Sequence, residues 1–279
     1  MQLTPADMMI YSTVRIDAVA QGQPIGSGTA FFVTLEEGGG EIILLITNKH
    51  VLAGAEAVSV LCHETAGVGE NAGPSGTMVR VVLEIWDEIV INHPSPEVDL
   101  CAILFSGVVA QAGRDGTGLF MVGLLPELIP SPEEWAEFDA IEEVTMVGCP
   151  SGLFDEVNGV PIARRGITAT PLRNRYQGKD EFLIDIACFP GSSGSAVFLY
   201  EPASFDASGK VRQERRHLVG ILYSGPVFTQ RGEVILGRAP AVAVDGMMHL
   251  GQVIRSTALL NVLEIVVERA RAARQNPSA

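Results

Sequence analysis

Three short segments hold the side chains best suited to chemistry. The first is Pro190-Gly191-Ser192-Ser193-Gly194-Ser195, three serines in a glycine-flanked turn. A serine hydroxyl is a poor nucleophile until a base takes its proton. The oxyanion raised by its attack also needs fixed N–H donors beside it. Glycine accepts dihedrals and close approaches that other residues do not, so such a turn can supply those donors, here the N–H groups of Gly191 and Ser193. The second segment, Ile46-Thr47-Asn48-Lys49-His50-Val51, sets a histidine just past the end of an apolar run. The third, Pro94 to Ile103, sets Asp99 at the head of another. Singly these are ordinary, since Gly-Ser clusters and aspartates at strand starts are mostly turn residues. Together they supply a nucleophile, a base and a carboxylate to orient the base.

Other reactive side chains form no second constellation. His63, His93, His217 and His249 have no ligand spacing and read as surface or structural groups. Cys62, Cys101, Cys149 and Cys188 are scattered without paired or metal-like spacing, and are expected as small buried hydrophobes with reduced thiols. No metal or cofactor is implied.

The elements that must position these residues are mainly strands. Tyr11–Ala18, Gly28–Leu35, Glu41–Thr47, Ala57–Leu61, Met78–Trp86 and Leu100–Phe105 are short, rich in β-branched or aromatic residues, and mostly bounded by turn residues. A second series follows in Glu143–Gly148, Arg164–Ala169, Glu181–Ile186, Ser195–Leu199, His217–Leu222 and Ala241–Val244. Many short strands at fairly even spacing predict a sandwich or barrel rather than alternating βα units. The link between the two series lies within Ser106–Ile141, where Pro132-Glu133-Glu134 opens a short helix. This gives an N-terminal unit over 1–115 carrying His50 and Asp99, a connection over 116–142, and a C-terminal unit over 143–279 carrying Ser193. Pro202–Arg216 reads as an exposed hairpin or loop. Ser256–Arg274 reads as a closing helix with Leu259, Leu260, Leu263, Val266, Val267 and Ala270 on its core face.

Composition narrows the partners. The 279 residues are 47% hydrophobic and 19% charged, which is globular rather than disordered. A formal charge of −14 repels phosphate backbones and anionic lipid, so nucleic-acid and membrane-surface roles are disfavoured. Mean hydropathy is +0.27, yet no stretch reaches the about 18 apolar residues of a membrane span. Met1–Ile10 carries Asp7 and lacks the basic start and long apolar segment of a secretory signal, so a cytoplasmic location is expected.

The order His, Asp, Ser is that of the chymotrypsin group, and the sequence resembles the trypsin-like serine peptidases. The likeness is to the bacterial branch with the high-temperature-requirement proteases and the glutamyl endopeptidases. It is carried by Gly26-Ser-Gly-Thr-Ala-Phe-Phe-Val33, Thr47–Val51, Asp99-Leu-Cys-Ala-Ile103 and Val147-Gly-Cys-Pro-Ser-Gly-Leu153. It continues through Arg165-Gly-Ile-Thr-Ala169, Asp185 to Ser195 and Gly220-Ile-Leu-Tyr-Ser-Gly225. The resemblance implies an all-β fold of two packed six-stranded antiparallel barrels with a C-terminal α-helix. It implies a serine endopeptidase in which Ser193 attacks, His50 moves the proton and Asp99 holds the imidazole. It selects Ser193 over Ser192 and Ser195. Ser192 stands where zymogens of the family carry an aspartate, so activation by N-terminal cleavage is not expected.

By the same resemblance the base of the primary specificity pocket is Ala187, and Leu222, Tyr223, Ser224 and Gly225 belong to the substrate-pairing strand. No acid at 187 and no histidine at 222 disfavours basic and glutamate preferences, leaving small or medium apolar residues before the scissile bond. The expected partner is a protein or peptide substrate. The acidic stretch Glu127–Glu143 and the loop Pro202–Arg216 leave room for a regulatory protein, and with it the alternative of a protease fold silent until a partner acts. An esterase using the same triad is a further alternative.

Overall fold

The computed structural model describes residues 3–205, 209–232 and 242–275. Its first half runs α1 (Pro5–Tyr11), β1 (Thr13–Ala20), β2 (Gln23–Glu37), β3 (Gly40–Thr47), β4 (Ala57–Ala66), β5 (Gly73–Glu84), β6 (Val90–Asn92), β7 (Cys101–Leu104), α2 (Ser106–Arg114) and β8 (Leu119–Phe120). These strands form one antiparallel sheet in the order β5-β4-β1-β2-β3-β7-β6, with β8 added on β4. After α3 (Pro132–Glu137), the second half contains β9 (Glu143–Gly148), β10 (Ile162–Thr168), β11 (Glu181–Asp185), β12 (Ala196–Glu201), β13 (Ser204–Phe205), β14 (Val211–Arg212), β15 (Arg215–Ser224), β16 (Val227–Gly232), β17 (Val242–Met247) and β18 (Leu250–Arg255), then α4 (Thr257–Gln275). Six of these close into a barrel, β10-β11-β18-β15-β12-β9, while β13–β14 and β16–β17 form separate two-stranded ribbons. The architecture is the chymotrypsin-like all-β fold, with its C-terminal helix.

Side-chain alternation builds the layers, because successive residues of a strand face opposite ways. On β2, Ala30 and Phe32 enter the core of the first sheet, whereas Phe31, Val33 and Leu35 enter a core shared with the second half. β12 repeats the device: Val197 and Leu199 fill the barrel, and Ala196 and Phe198 face the shared core. Helix α4 seals that core with Ala258, Leu259, Val262, Leu263 and Val266. Leu260, expected on this face, points outward and is 44% exposed. The two halves are therefore joined by a shared apolar core.

Some elements depart from the sequence expectation. Thr4 and Asp7 cap α1 reciprocally, so a helix precedes the first strand. Ser106–Arg114 is helical where only a connection was expected. β18 falls on a stretch assigned to no strand, yet it pairs with both β11 and β15 and closes the barrel. The predicted Pro132 helix forms with a Ser131–Glu134 capping box. Pro202–Arg216 contains the β13–β14 hairpin, and Ala241 lies outside the described residues.

Candidate active site

The turn between β11 and β12 is shaped by two glycines that no other residue could replace. Gly194 has φ of +87°, and a Cβ there would lie 1.9 Å from the carbonyl oxygen of Thr29. Gly191 has φ of +83°, and its Cβ would meet the Cys149 carbonyl at 2.9 Å. The folded turn divides its N–H groups in a telling way. Ser192 donates to Phe189 O (3.0 Å), Gly194 to Leu222 O (2.8 Å) and Ser195 to Ser192 O (3.0 Å). The N–H groups of Gly191 and Ser193 donate to no acceptor among the described residues. Both named donors are thus left free for an incoming oxygen.

Two residues from distant strands hold this turn, and neither was singled out from the sequence. Thr29 on β2 is fully buried. Its hydroxyl donates to Gly191 O (2.9 Å) and accepts from the Cys149 N–H (2.9 Å), while its own N–H donates to Ser193 O (2.8 Å). One side chain from the first half therefore fixes the turn of the second. Arg164 on β10 comes from the other side, donating to the Ala187 carbonyl and, at 3.0 Å, to the Ser192 hydroxyl. Burial lowers its guanidinium below the ordinary value, and it has no carboxylate partner among the described residues. Arg164 thus ties the Ala187 carbonyl and the Ser192 hydroxyl to β10 from beneath the turn.

The histidine and the aspartate meet across the first sheet. His50 lies in a one-turn 3-10 helix, Lys49–Leu52, just after β3. Asp99 lies just before β7, which pairs with β3 through Thr47 and Cys101. Three successive residues bind the Asp99 loop. Asn48 donates to Asp99 O (2.6 Å), the Lys49 ammonium to His93 O (3.2 Å) and Ser95 O (3.0 Å), and the His50 N–H to Asp99 Oδ1 (3.0 Å). The imidazole Nδ1 closes on Asp99 Oδ2. An ionised carboxylate can only accept, so in that contact Nδ1 is the donor and Nε2 is turned away from Asp99. Burial raises the Asp99 carboxyl, but the side-chain and backbone hydrogen bonds from His50 outweigh it and hold the group below its ordinary value.

The Ser193 hydroxyl makes no hydrogen bond to His50. It donates instead to the Tyr223 carbonyl at 3.4 Å. Beside it lies a cavity of ≈ 200 Å³ lined by Cys188, Phe189, Pro190, Ser193, Leu222, Tyr223, Ser224 and Gly225. Leu222 through Gly225 form one side of that lining. Ala187 is not on this lining; its carbonyl is engaged by Arg164, and Cys188 forms the wall instead. No lining residue is charged. All four cysteines are free and buried. Burial pushes Cys62, Cys101 and Cys149 up to about 12 and Cys188 up to about 11, far from thiolate chemistry. Among the described residues no cluster of His, Cys, Asp or Glu could hold a metal ion, and no helix is long and apolar enough to cross a membrane.

Comparison with known proteins bears on the family and the fold. The family model of the trypsin-like peptidase domain matches residues 28–203, from the start of the buried part of β2 to just beyond β12. A serine endoprotease from Yersinia pestis superposes with a TM-score of 0.50 at 14% identity, covering 96% of this chain and 68% of that one. The MamO protease domain from Magnetospirillum magneticum gives 0.44 at 12% identity, over 91% of this chain and 97% of that one. The thermostable serine protease AL20 from an extremophilic microorganism gives 0.46 at 15%, over 92% and 97%. No curated protein matches in sequence.

Proposed function

We propose, for a chain that belongs to the trypsin-like peptidase family and is a serine endopeptidase, that peptide bonds are hydrolysed through an acyl-enzyme on Ser193. Ser193 Oγ attacks the carbonyl carbon and its proton passes to His50 Nε2. The oxyanion sits against the N–H groups of Gly191 and Ser193. His50 then protonates the departing amine, leaving an ester on Ser193. Water, deprotonated by His50, attacks that ester and releases the acid. Asp99 holds the imidazole and stabilises its protonated form. The division of hydrogen bonds in the Ser193 turn carries this reading, since the two uncommitted N–H groups are those an oxyanion hole needs.

The uncharged ≈ 200 Å³ cavity supports cleavage after small or medium apolar residues. Four free, buried thiols fit a reducing compartment such as a cytoplasm. One observation favours the second reading, a site silent until a partner acts: the Ser193 hydroxyl rests on Tyr223 O rather than on His50. Catalytic hydrogen bonds are often loose without substrate, and a rotation about χ1 redirects a serine, so the active reading is preferred. Mass-spectrometric mapping of cuts in a peptide library tests it. Cleavage after Ala, Val or Leu by wild type, and none by Ser193→Ala, is expected. A profile dominated by Arg, Lys or Glu, or cutting that survives in Ser193→Ala, overturns it.

A further inference from the structure

A second and larger cavity, ≈ 640 Å³, lies on the Asp99 side of the candidate site. Glu97 and Val98, from the loop leading into Asp99, form one wall; Lys179, Asp180 and Glu181 form another; α4 contributes a third. The acids on it are unequal. Asp180 is already matched by Arg175 at 2.7 Å and Arg255 at 4.0 Å. Glu97 and Glu181 have no cationic partner among the described residues, against the single ammonium of Lys179 on the lining.

Glu181 is the unusual member, because it is 7% exposed and carries no neutralising charge. Its Oε2 accepts from the Tyr223 hydroxyl (2.9 Å) and from Gln252 Nε2 (2.8 Å). Oε1 accepts nothing among the described residues, and Glu181 is on the lining of this cavity. A buried carboxylate with one open oxygen is costly unless a cation or donor arrives. Tyr223 ties this carboxylate to the reaction centre: its ring hydroxyl binds Glu181 while its carbonyl takes the Ser193 hydroxyl.

We propose that this cavity is a subsite for a lysine or arginine on the acyl side of the scissile bond, with Glu181 as the residue that reads it. The inference rests on the endopeptidase reading above. A substrate strand laid along Tyr223–Gly225 alternates its side chains. If the residue before the scissile bond fills the ≈ 200 Å³ cavity, the second and fourth residues before it point to the other face of the strand, and in this proposal that face is the one with the cavity bounded by Glu97 and Val98. A long basic side chain suits the walls, since its aliphatic stem can lie on Val98, Ile254 and Ala258 while its head reaches Glu181 Oε1. The chain's formal charge of −14 draws such substrates in.

Binding to the full-length Ser193→Ala protein tests this without requiring turnover. Fluorescent peptides with an apolar residue at the scissile position carry one Lys, Gln or Glu, walked over the second to fifth positions before that bond. Lys at the second or fourth position should bind about five- to tenfold tighter than Gln, with Glu weakest, a gap that shrinks with salt. The gap should vanish in Ser193→Ala/Glu181→Gln and narrow in Ser193→Ala/Glu97→Gln. Equal binding of Lys and Gln peptides, or a gap that survives Glu181→Gln, overturns the proposal. Should Glu181→Gln not fold, the Lys–Gln comparison on the parent protein and the Glu97→Gln variant decide it alone. Wild-type cleavage of the same peptides reports separately: specific binding without cleavage counts against the endopeptidase reading only, and cleavage without a basic preference counts against the subsite only.

Discussion

Replacing Thr29 with valine removes one oxygen and keeps the shape, yet two hydrogen bonds between the halves go with it. The Thr29 hydroxyl satisfies the Cys149 N–H and holds the Gly191 carbonyl, each at 2.9 Å, with Thr29 wholly buried. An orphaned buried N–H costs about 1–3 kcal/mol, and a lost bond to a partly exposed carbonyl about 0.5–1.5 kcal/mol. Thr29→Val should therefore lower stability by about 2–4 kcal/mol, a large share of the roughly 5–15 kcal/mol typical of a domain. At this size that lowers Tm by on the order of 10 °C. Activity should fall further than stability alone explains, because the Gly191 carbonyl helps set the neighbouring N–H groups. A kcat loss of about 10- to 100-fold is expected, less than removing an oxyanion donor outright. Urea unfolding and peptide hydrolysis below the melting range measure the two effects. Thr29→Ser keeps the hydroxyl and should retain most of both. A valine variant within about 0.5 kcal/mol of wild type would refute the reasoning, since it would mean the bridge is not what joins the halves at this point.

Arg164→Met keeps the aliphatic stem but removes the donors to Ala187 O and Ser192 Oγ; kcat/KM should fall about 10- to 100-fold with cleavage preference unchanged, and activity close to wild type would contradict its role under the turn. Gly194→Ala forces a side chain onto the Thr29 carbonyl at positive φ, so the protein should lose more than about 4 kcal/mol or fail to fold, as circular dichroism would report. Burial holds His63 and His93 below the ordinary value of 6.5. The unfolded chain therefore takes up these protons first, and stability should fall as pH drops below 6.5 toward the folded pKa values. Urea midpoints at about pH 7.5 and about pH 5.5 measure that drop. His93→Gln should narrow it, and an unchanged drop would show that His93 does not contribute.

The glycine turn around Ser193 and the pairing of His50 with Asp99, on which the proposed mechanism rests, were legible because such chemistry demands particular residues in local motifs. A glycine on each side of Ser193 is needed for positive φ and close approach, and a strand end is needed to present His50. The supports were not legible. Thr29 and Arg164 act on the turn from 162 and 28 residues away in sequence, and nothing in a threonine or an arginine on a strand announces such a partner. Asn48 and Lys49 sat inside the histidine motif, but their use as tethers for the Asp99 loop depends on where that loop folds back. The all-β character followed from strand composition. β18 escaped because Gly251 and Gln252 interrupt its apolar pattern; Gly251 is required where a Cβ would strike Cys188 Sγ at 2.7 Å. The α1 helix was hidden by a tyrosine that ends it and reads as the start of the strand.

The most direct test of the central claim is the site of covalent capture by a fluorophosphonate, mapped by mass spectrometry on wild type and on Ser193→Ala. Phosphonylation requires an activated serine beside working oxyanion donors. A single adduct on Ser193, absent from Ser193→Ala and strongly reduced in His50→Ala, is the predicted result. An adduct on Ser192 or Ser195, or none on the folded wild-type chain, would contradict the assignment of Ser193 as an activated nucleophile in this protein.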